Sequence, residues 1–458
     1  MTNTDTELKT IAKDLVARAQ SADIEAVDTT FAELTTLRIG GRPAGVIKCL
    51  SPEALRWVVS ELDATRTPLI VVGGGSNLVV GDGPQVSDLV VVWATTPDSA
   101  ENGSHAAVWD HGAAEGHSVT EGHVAMDKST GLVRAYAGVE WDQLVAATVA
   151  AGLGGLECLS GIPGSVGATP VQNVGAYGAE VSQVLKRVQL YDREAKTWEW
   201  VQPEALDLAY RYSNLKFTNR GVVTAVEFQL RTDGLSTALR FGELARRVGV
   251  TAEEATADAR RPVAEVREAV LQLRAGKGMV LDPEDHDTWS AGSFFTNPIV
   301  EGEAARDAVI AAVRQRCGDE EADSMPVYSA GRSAVGDNAA KGRTTARSLC
   351  VPTSSEGFEE SPERSPDESP ERSPEENPVE RYKFSAAWLI ERAGFSKGWH
   401  VEGNTVASLS TKHTLALTNR GGATSADIVQ LARAVRNGVW EAFGVELEPE
   451  PIWLGVTI

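Results

Sequence analysis

The stretch "GLGGLECLSGIPGSVGATPVQNVGAYGAE", Gly152 to Glu180, limits the fold more than any other part of the chain. Glycine inside a helix costs about 1 kcal/mol against alanine, and in a strand it has no side chain to pack. Glycines at this density rule out a long regular element, so the chain must run here as successive bends. Two readings of those bends stay open. Small residues let backbone approach a flat, extended cofactor with a pyrophosphate, and they equally let a barrel-like subdomain turn its corners.

A second glycine cluster, "GGGSN" at Gly73 to Asn77, directly follows the apolar run Leu69 to Val72. Successive glycine amides after a strand can close on a phosphate, with serine and asparagine side chains adding hydrogen bonds. The continuation Leu78, Val79, Val80 lacks the Lys-Ser/Thr pair of a P-loop, and it is strand-like where a dinucleotide-binding Rossmann unit would open a helix. "PGSVG" around Ser165 lacks the first glycine of a nucleophile elbow.

The remaining pattern mixes helices and strands. Ser51, Pro52 and Glu53 start a helix with Leu55, Val58, Val59 and Leu62 on one face, ended by Pro68. "DLVVVW", "VRAYAG", "RVQLYD", "WEWV" and "VVTAVEFQL" read as strands, and Trp141, Leu144, Val145 and Thr148 begin a helix closed by Gly152. From about residue 240 the texture shifts to longer helices, at Val263 to Arg274, Phe384 to Ala393 and Ala426 to Phe443. The expected organisation is an N-terminal helical segment over 1–30, an α+β unit over 31–234 and a second α+β domain over 235–458.

Two stretches stand outside that pattern. Residues 98–128 are rich in Gly, Ala and His without Cys partners or helical His pairing, which reads as a solvated loop insertion and not as a metal site. The Ser-Pro-Glu repeats of Glu356 to Glu380 cannot bury enough apolar surface to offset the entropy of ordering, so an acidic disordered insertion is expected over about 330–380.

The formal net charge of −21 argues against a general nucleic-acid binder, so an anionic ligand has to be held by local cations or backbone amides. No apolar run approaches the roughly 18 residues of a membrane helix. The N-terminus lacks the basic and apolar parts of a signal peptide, so a cytoplasmic location is expected. The four cysteines are far apart and have no zinc-ligand spacing, so neither a disulfide framework nor a bound metal is expected.

"SAGSFFTNP", Ser290 to Pro298, places one small hydroxyl between a glycine and two phenylalanines. The plainest reading is a short buried strand. Taken with "TTLRIGG", "GGGSNLVV", "GIPGSVGATPVQNVGAYG", "YRYSNLKF", "LRAGKG", "SAAWLIERAGF" and "LEPEPIWLG", which follow one another along nearly the whole chain, it resembles the UDP-N-acetylenolpyruvoylglucosamine reductase family. The resemblance implies a two-subdomain FAD-binding unit of the PCMH, or vanillyl-alcohol-oxidase, type followed by an α+β substrate-binding domain. It implies FAD as cofactor, NADPH as co-substrate, a UDP-sugar enolpyruvyl ether as substrate and a monomer without nucleic-acid or membrane partners.

In that family hydride passes from NADPH through FAD to the vinyl methylene carbon, and the product is UDP-N-acetylmuramate. The family's proton donor falls on Ser293, and its enolate-stabilising arginine and glutamate fall on Arg211 and Glu450. A guanidinium supplies fixed charge-assisted hydrogen bonds, and a buried, protonated carboxyl can donate one more. The FAD contacts map onto Gly73, Gly74, Gly75, Ser76, Asn77, Ile162, Pro163, Gly164, Gly167, Ala168 and Val223, and substrate contacts onto Tyr177, Arg274, Lys277 and Asn297. Phe241 stands where many relatives carry tyrosine, which removes one hydrogen bond, on the order of 1 kcal/mol. Two other readings suit the same architecture: a flavin-linked oxidase of a sugar or alcohol, and a catalytically inactive flavin-domain scaffold.

Overall fold

The computed structural model describes residues 3–97, 107–109, 123–239, 242–251, 253–254, 258–332 and 379–458. Phe241, most of the expected loop at 98–128 and residues 333–378 of the acidic stretch lie outside the described residues.

The first sheet has the strand order Ile24–Val27, Gly45–Cys49, Val90–Ala94, Leu69–Val72, antiparallel at the first pair and parallel at the other two. Helix Pro52–Ala64 makes the crossover. Its Ser51 side chain accepts from the Ala54 amide, proline stands in its first turn, and Leu55, Val58, Val59 and Leu62 are buried as their spacing requires. The second sheet runs Thr197–Val201, Leu185–Asp192, Gly221–Gln229, Leu132–Tyr136, Val124–Asp127, Ala107–Trp109, antiparallel except at its last pair.

The expected loop over 98–128 therefore contains sheet. Val124 and Met126 face the core while Ala125 and Asp127 are half-buried, an alternation too short to stand out beside its Gly- and His-rich neighbours. Val139, Trp141, Val188, Val226 and Phe228 belong to the large core beneath these sheets, and so do Leu239, Leu244, Val266 and Val270. In packing, the expected boundary at residue 234 thus falls inside the first core. A second core gathers Leu37, Ile39 and Val79 with residues from Ala291 onward.

That second core is built on the antiparallel sheet Ile299–Glu301, Glu380–Phe384, Val327–Arg332 and on the helices Glu303–Cys317, Ala386–Arg392 and Ser425–Phe443. The last of these has a capping box between Thr424 and Asp427 at its start and Gly444 in the left-handed conformation at its end, as its caps dictate. The final strand, Ile452–Leu454, returns to the first half and pairs in parallel with Leu78–Val80. This pairing sets the C-terminal segment directly beside the "GGGSN" turn.

Candidate active site

Strand Leu69–Val72 delivers the chain into the turn Gly73 to Asn77, and the amides of Gly73, Gly74, Gly75, Ser76 and Asn77 donate to no acceptor among the described residues. Opposite lies the loop Ile162 to Gly167. The two loops meet almost backbone to backbone: a Cβ on Gly74 would stand 2.7 Å from the Cα of Gly164, and the Ser76 hydroxyl donates to the Pro163 carbonyl at 2.8 Å. Only glycine permits that approach. Unsatisfied amides in a row form an anion-binding nest, so the turn has the donor set for a pyrophosphate.

These loops border a cavity of about 520 Å³. Every residue expected to contact FAD lines it, and so do Arg211, Ser293, Glu450, Tyr177, Arg274 and Lys277. An elongated ligand with a flat ring and an anionic middle fits walls made of glycine backbone, Ala168, Val223 and Leu215.

Arg211 sits on a strained backbone, with φ of 55°. Its carbonyl accepts from the buried Lys216 ammonium at 3.1 Å, and its guanidinium donates to the carbonyl of Gly175 and, at 3.5 Å, to that of Asn173. Its Nε stands 3.3 Å from Glu450 Oε1. A Cβ on Gly175 would lie 2.8 Å from the guanidinium and 2.9 Å from the Ala179 carbonyl oxygen, so glycine leaves room for both.

Glu450 and Ser293 are tied together through backbone. The Glu450 amide donates to the Phe294 carbonyl at 2.9 Å, and Thr296 donates to the Glu448 carbonyl at 3.0 Å. "SAGSFFTNP" is accordingly not a strand. It is a bend, entered through Gly292 with φ of 77° and held by single bridges from Ser290 to Thr418 and from Phe295 to Pro449. Phe294 and Phe295 are fully buried and meet edge to face at 5.2 Å, with Trp453 5.6 Å from Phe294. The aromatic pair anchors the bend and leaves the half-buried Ser293 on the cavity wall.

The cationic end of the cavity is more enclosed than the sequence indicates. Arg274 donates to the Met279 carbonyl at 2.7 Å, while its buried Nε has no partner among the described residues. Lys277 pairs with Glu243 at 2.6 Å. Burial raises the Tyr177 phenol, with Arg274 opposing. Asn297 stands apart. It does not line the cavity, and its side-chain oxygen accepts from the Ala386 amide at the start of a helix.

Three residues escape reading from sequence. Gln172 donates to Glu450 Oε1 at 2.8 Å, His413 lines the cavity, and Lys216 braces Arg211. Gln172 and Lys216 lie within quoted motifs, but nothing local marks either. His413, in "STKHTLALTN", is one of seven histidines with no distinguishing neighbour in the chain.

Comparison with known proteins identifies the family. Residues 282–454 match a family described as UDP-N-acetylenolpyruvoylglucosamine reductase, C-terminal domain, and residues 117–200 match an FAD binding domain family. A UDP-N-acetylenolpyruvoylglucosamine reductase of Corynebacterium jeikeium is 66% identical, over 94% of this chain and 90% of the relative. A second, from Corynebacterium glutamicum, is 48% identical over 94% of each. Among solved structures, the UDP-N-acetylenolpyruvylglucosamine reductase of Thermus caldophilus shares the fold, with a TM-score of 0.51 at 21% identity over 94% of this chain and 99% of that one.

Proposed function

Because the chain belongs to the UDP-N-acetylenolpyruvoylglucosamine reductase family, FAD-dependent oxidoreductases of peptidoglycan synthesis, we propose that it reduces the enolpyruvyl ether of a UDP-sugar with NADPH, giving UDP-N-acetylmuramate. FAD held by the glycine loops would supply the hydride transfer between NADPH and the vinyl methylene carbon.

The chain's own residues handle the charge and the proton. As negative charge spreads over the adjacent carbon and the carboxylate, the Arg211 guanidinium faces it from a fixed position, and the Glu450 carboxyl offers a second polar contact. The Ser293 hydroxyl gives its proton to the adjacent carbon. A hydroxyl is a weak acid, so it serves only against a strongly basic centre such as that enolate, and the buried Phe294 and Phe295 keep bulk water from competing. The unpaired amides of Gly73 to Asn77 would hold the cofactor's pyrophosphate, while Arg274 and Lys277 would face the nucleotide end of the substrate.

One observation carries the reading. Arg211, Ser293 and Glu450, from three distant parts of the chain, reach the wall of a single cavity that both glycine loops also line. The test uses purified holoprotein carrying flavin. NADPH oxidation should depend on the enolpyruvyl sugar with little oxygen uptake, whereas an oxidase would consume oxygen and an inactive scaffold would do neither. Ser293→Ala should keep flavin reduction by NADPH and lose most turnover; equal loss in both half-reactions would remove Ser293 from its role.

A further inference from the structure

Gln172 closes the short helix Ala168–Gln172, in the middle of the glycine-rich segment, and its side chain reaches into the cavity wall. It is only 8% exposed. Its Nε2 donates to Glu450 Oε1 at 2.8 Å, and its own Oε1 is buried with no hydrogen-bond partner among the described residues. A carboxylate oxygen accepts, so the amide nitrogen is the end that faces it. The bond to Glu450 is therefore the single side-chain hydrogen bond that this amide makes among those residues.

That arrangement is poor for stability. A buried carbonyl oxygen without a partner carries a desolvation penalty of about the size that one hydrogen bond to a charged group returns, so the amide gains little net. An apolar side chain of similar size in the same space would avoid the loss. The amide has to be explained by what it does to Glu450.

One donor and one charge meet Glu450 at the same oxygen. Gln172 Nε2 donates to Oε1 at 2.8 Å and the Arg211 Nε stands 3.3 Å from it as an ion-pair partner, whereas Oε2 accepts no hydrogen bond among the described residues. The Gln172 hydrogen bond is thus the directional contact that orients the carboxyl and distinguishes its two oxygens. Oε1 is an acceptor already in use, so Oε2 is the oxygen left to meet the substrate.

We propose that Gln172 is a positioning residue of the reductase reaction, holding Glu450 Oε1 so that Oε2 alone is turned to the reacting substrate. It acts through Glu450. Arg211 cannot hold that geometry by itself, because its guanidinium is shared between Glu450 and the carbonyls of Gly175 and Asn173. The inference rests on the function proposed above, and the two can fail separately.

The test compares wild-type holoprotein with Gln172→Met, which keeps bulk and removes both polar ends, and with Gln172→Glu, which keeps shape and removes the N–H donor. Both variants should slow kcat for the enolpyruvyl sugar by roughly tenfold to a hundredfold, the span of one hydrogen bond to a charged group. KM should stay within a few-fold and flavin reduction by NADPH should be unchanged. Gln172→Met should also melt at the wild-type temperature or above it, which a structural role would not allow. Wild-type kcat in both variants would overturn the inference, as would a lowered melting temperature with the two half-reactions slowed alike. Absence of enolpyruvyl-dependent turnover in the wild type would instead overturn the proposed function.

Discussion

Replacing Gly73 by alanine would put a Cβ 1.9 Å from the Ser165 hydroxyl oxygen and 2.9 Å from its Cβ, with no other atom inside 4 Å. Gly73 is not in the left-handed region, so alanine adds no backbone strain and the whole penalty lies in one neighbouring side chain. The hydroxyl can rotate away. The Cβ cannot, and relieving its contact must part the two loops by a few tenths of an ångström. Overpacking of this kind costs about 1–3 kcal/mol. Ser165→Gly removes both offending atoms at an intrinsic cost of up to roughly 1 kcal/mol in chain entropy. The double variant should therefore recover the overpacking cost, about 1–3 kcal/mol, relative to the sum of the single changes. Urea unfolding of the holoprotein measures the stability, and fluorescence titration of FAD should show affinity following it, because the same loops line the cavity. Gly74→Ala is the control: its Cβ meets backbone, the Cα and carbonyl carbon of Gly164 at 2.7 and 2.9 Å, and Ser165→Gly should not rescue it. Strict additivity of Gly73→Ala with Ser165→Gly, or equal rescue of Gly74→Ala, would refute the packing argument.

Three further outcomes follow from the same coordinates. Burial, then Lys277, Lys397 and Arg274, push the His413 imidazole down to about 4. The unfolded chain, with histidine near 6.5, then binds more protons across about pH 4 to 6.5, so stability rises with pH through that window and is lost on acidification, and melting curves of His413→Gln should show a shallower acid limb. Burial, opposed by Glu450, lowers Lys216 to about 8. Here the unfolded chain holds the extra proton between about pH 8 and 10.4, so stability attributable to this residue rises with pH, and the stability of Lys216→Met relative to wild type should fall from pH 7 to pH 10 in parallel denaturation series. Arg332 and Glu380 are register partners in an antiparallel pair. Replacing residues 333–378 with a short Asn-Gly turn should leave flavin content and turnover within about threefold of wild type, and loss of bound flavin would show that the segment contributes to the fold.

What the sequence makes legible is local. The helix Pro52–Ala64 follows from its cap, its proline and its apolar spacing, and the glycine loops follow from their composition. The roles proposed for Arg211, Ser293 and Glu450 come only from the family resemblance, because their meeting depends on pairings between distant segments. The Glu450 amide bonds to Phe294, and Ile452 bonds to the Asn77 carbonyl at 2.9 Å. No periodicity within either segment specifies such a register, which is set by how side chains interlock once both are present. Val124–Asp127 is missed for a related reason: four residues of alternation gain their meaning from pairing with Leu132–Tyr136. Asn297 shows the converse. Its motif marks it as a substrate contact through the resemblance, and its side-chain oxygen accepts from the amide of Ala386, a partner that no local pattern indicates.

The same long-range pairings explain how a strained arginine can be kept at the centre of the site. Arg211, Tyr177 and Phe217 all have left-handed φ values, of 55°, 52° and 61°, and all three line the cavity. Each such residue costs about 1–2 kcal/mol, which the neighbourhood has to offset. For Arg211 the offset comes from both halves of the protein: Lys216 and Gly175 from the first, Glu450 from the second. Glu450 reaches it only because Ile452–Leu454 is laid beside Leu78–Val80, the strand that leaves the amide-rich turn. Cofactor cradle, arginine and carboxyl are thus coupled through one parallel strand pair, and a change that loosens it should disturb flavin binding and charge stabilisation together.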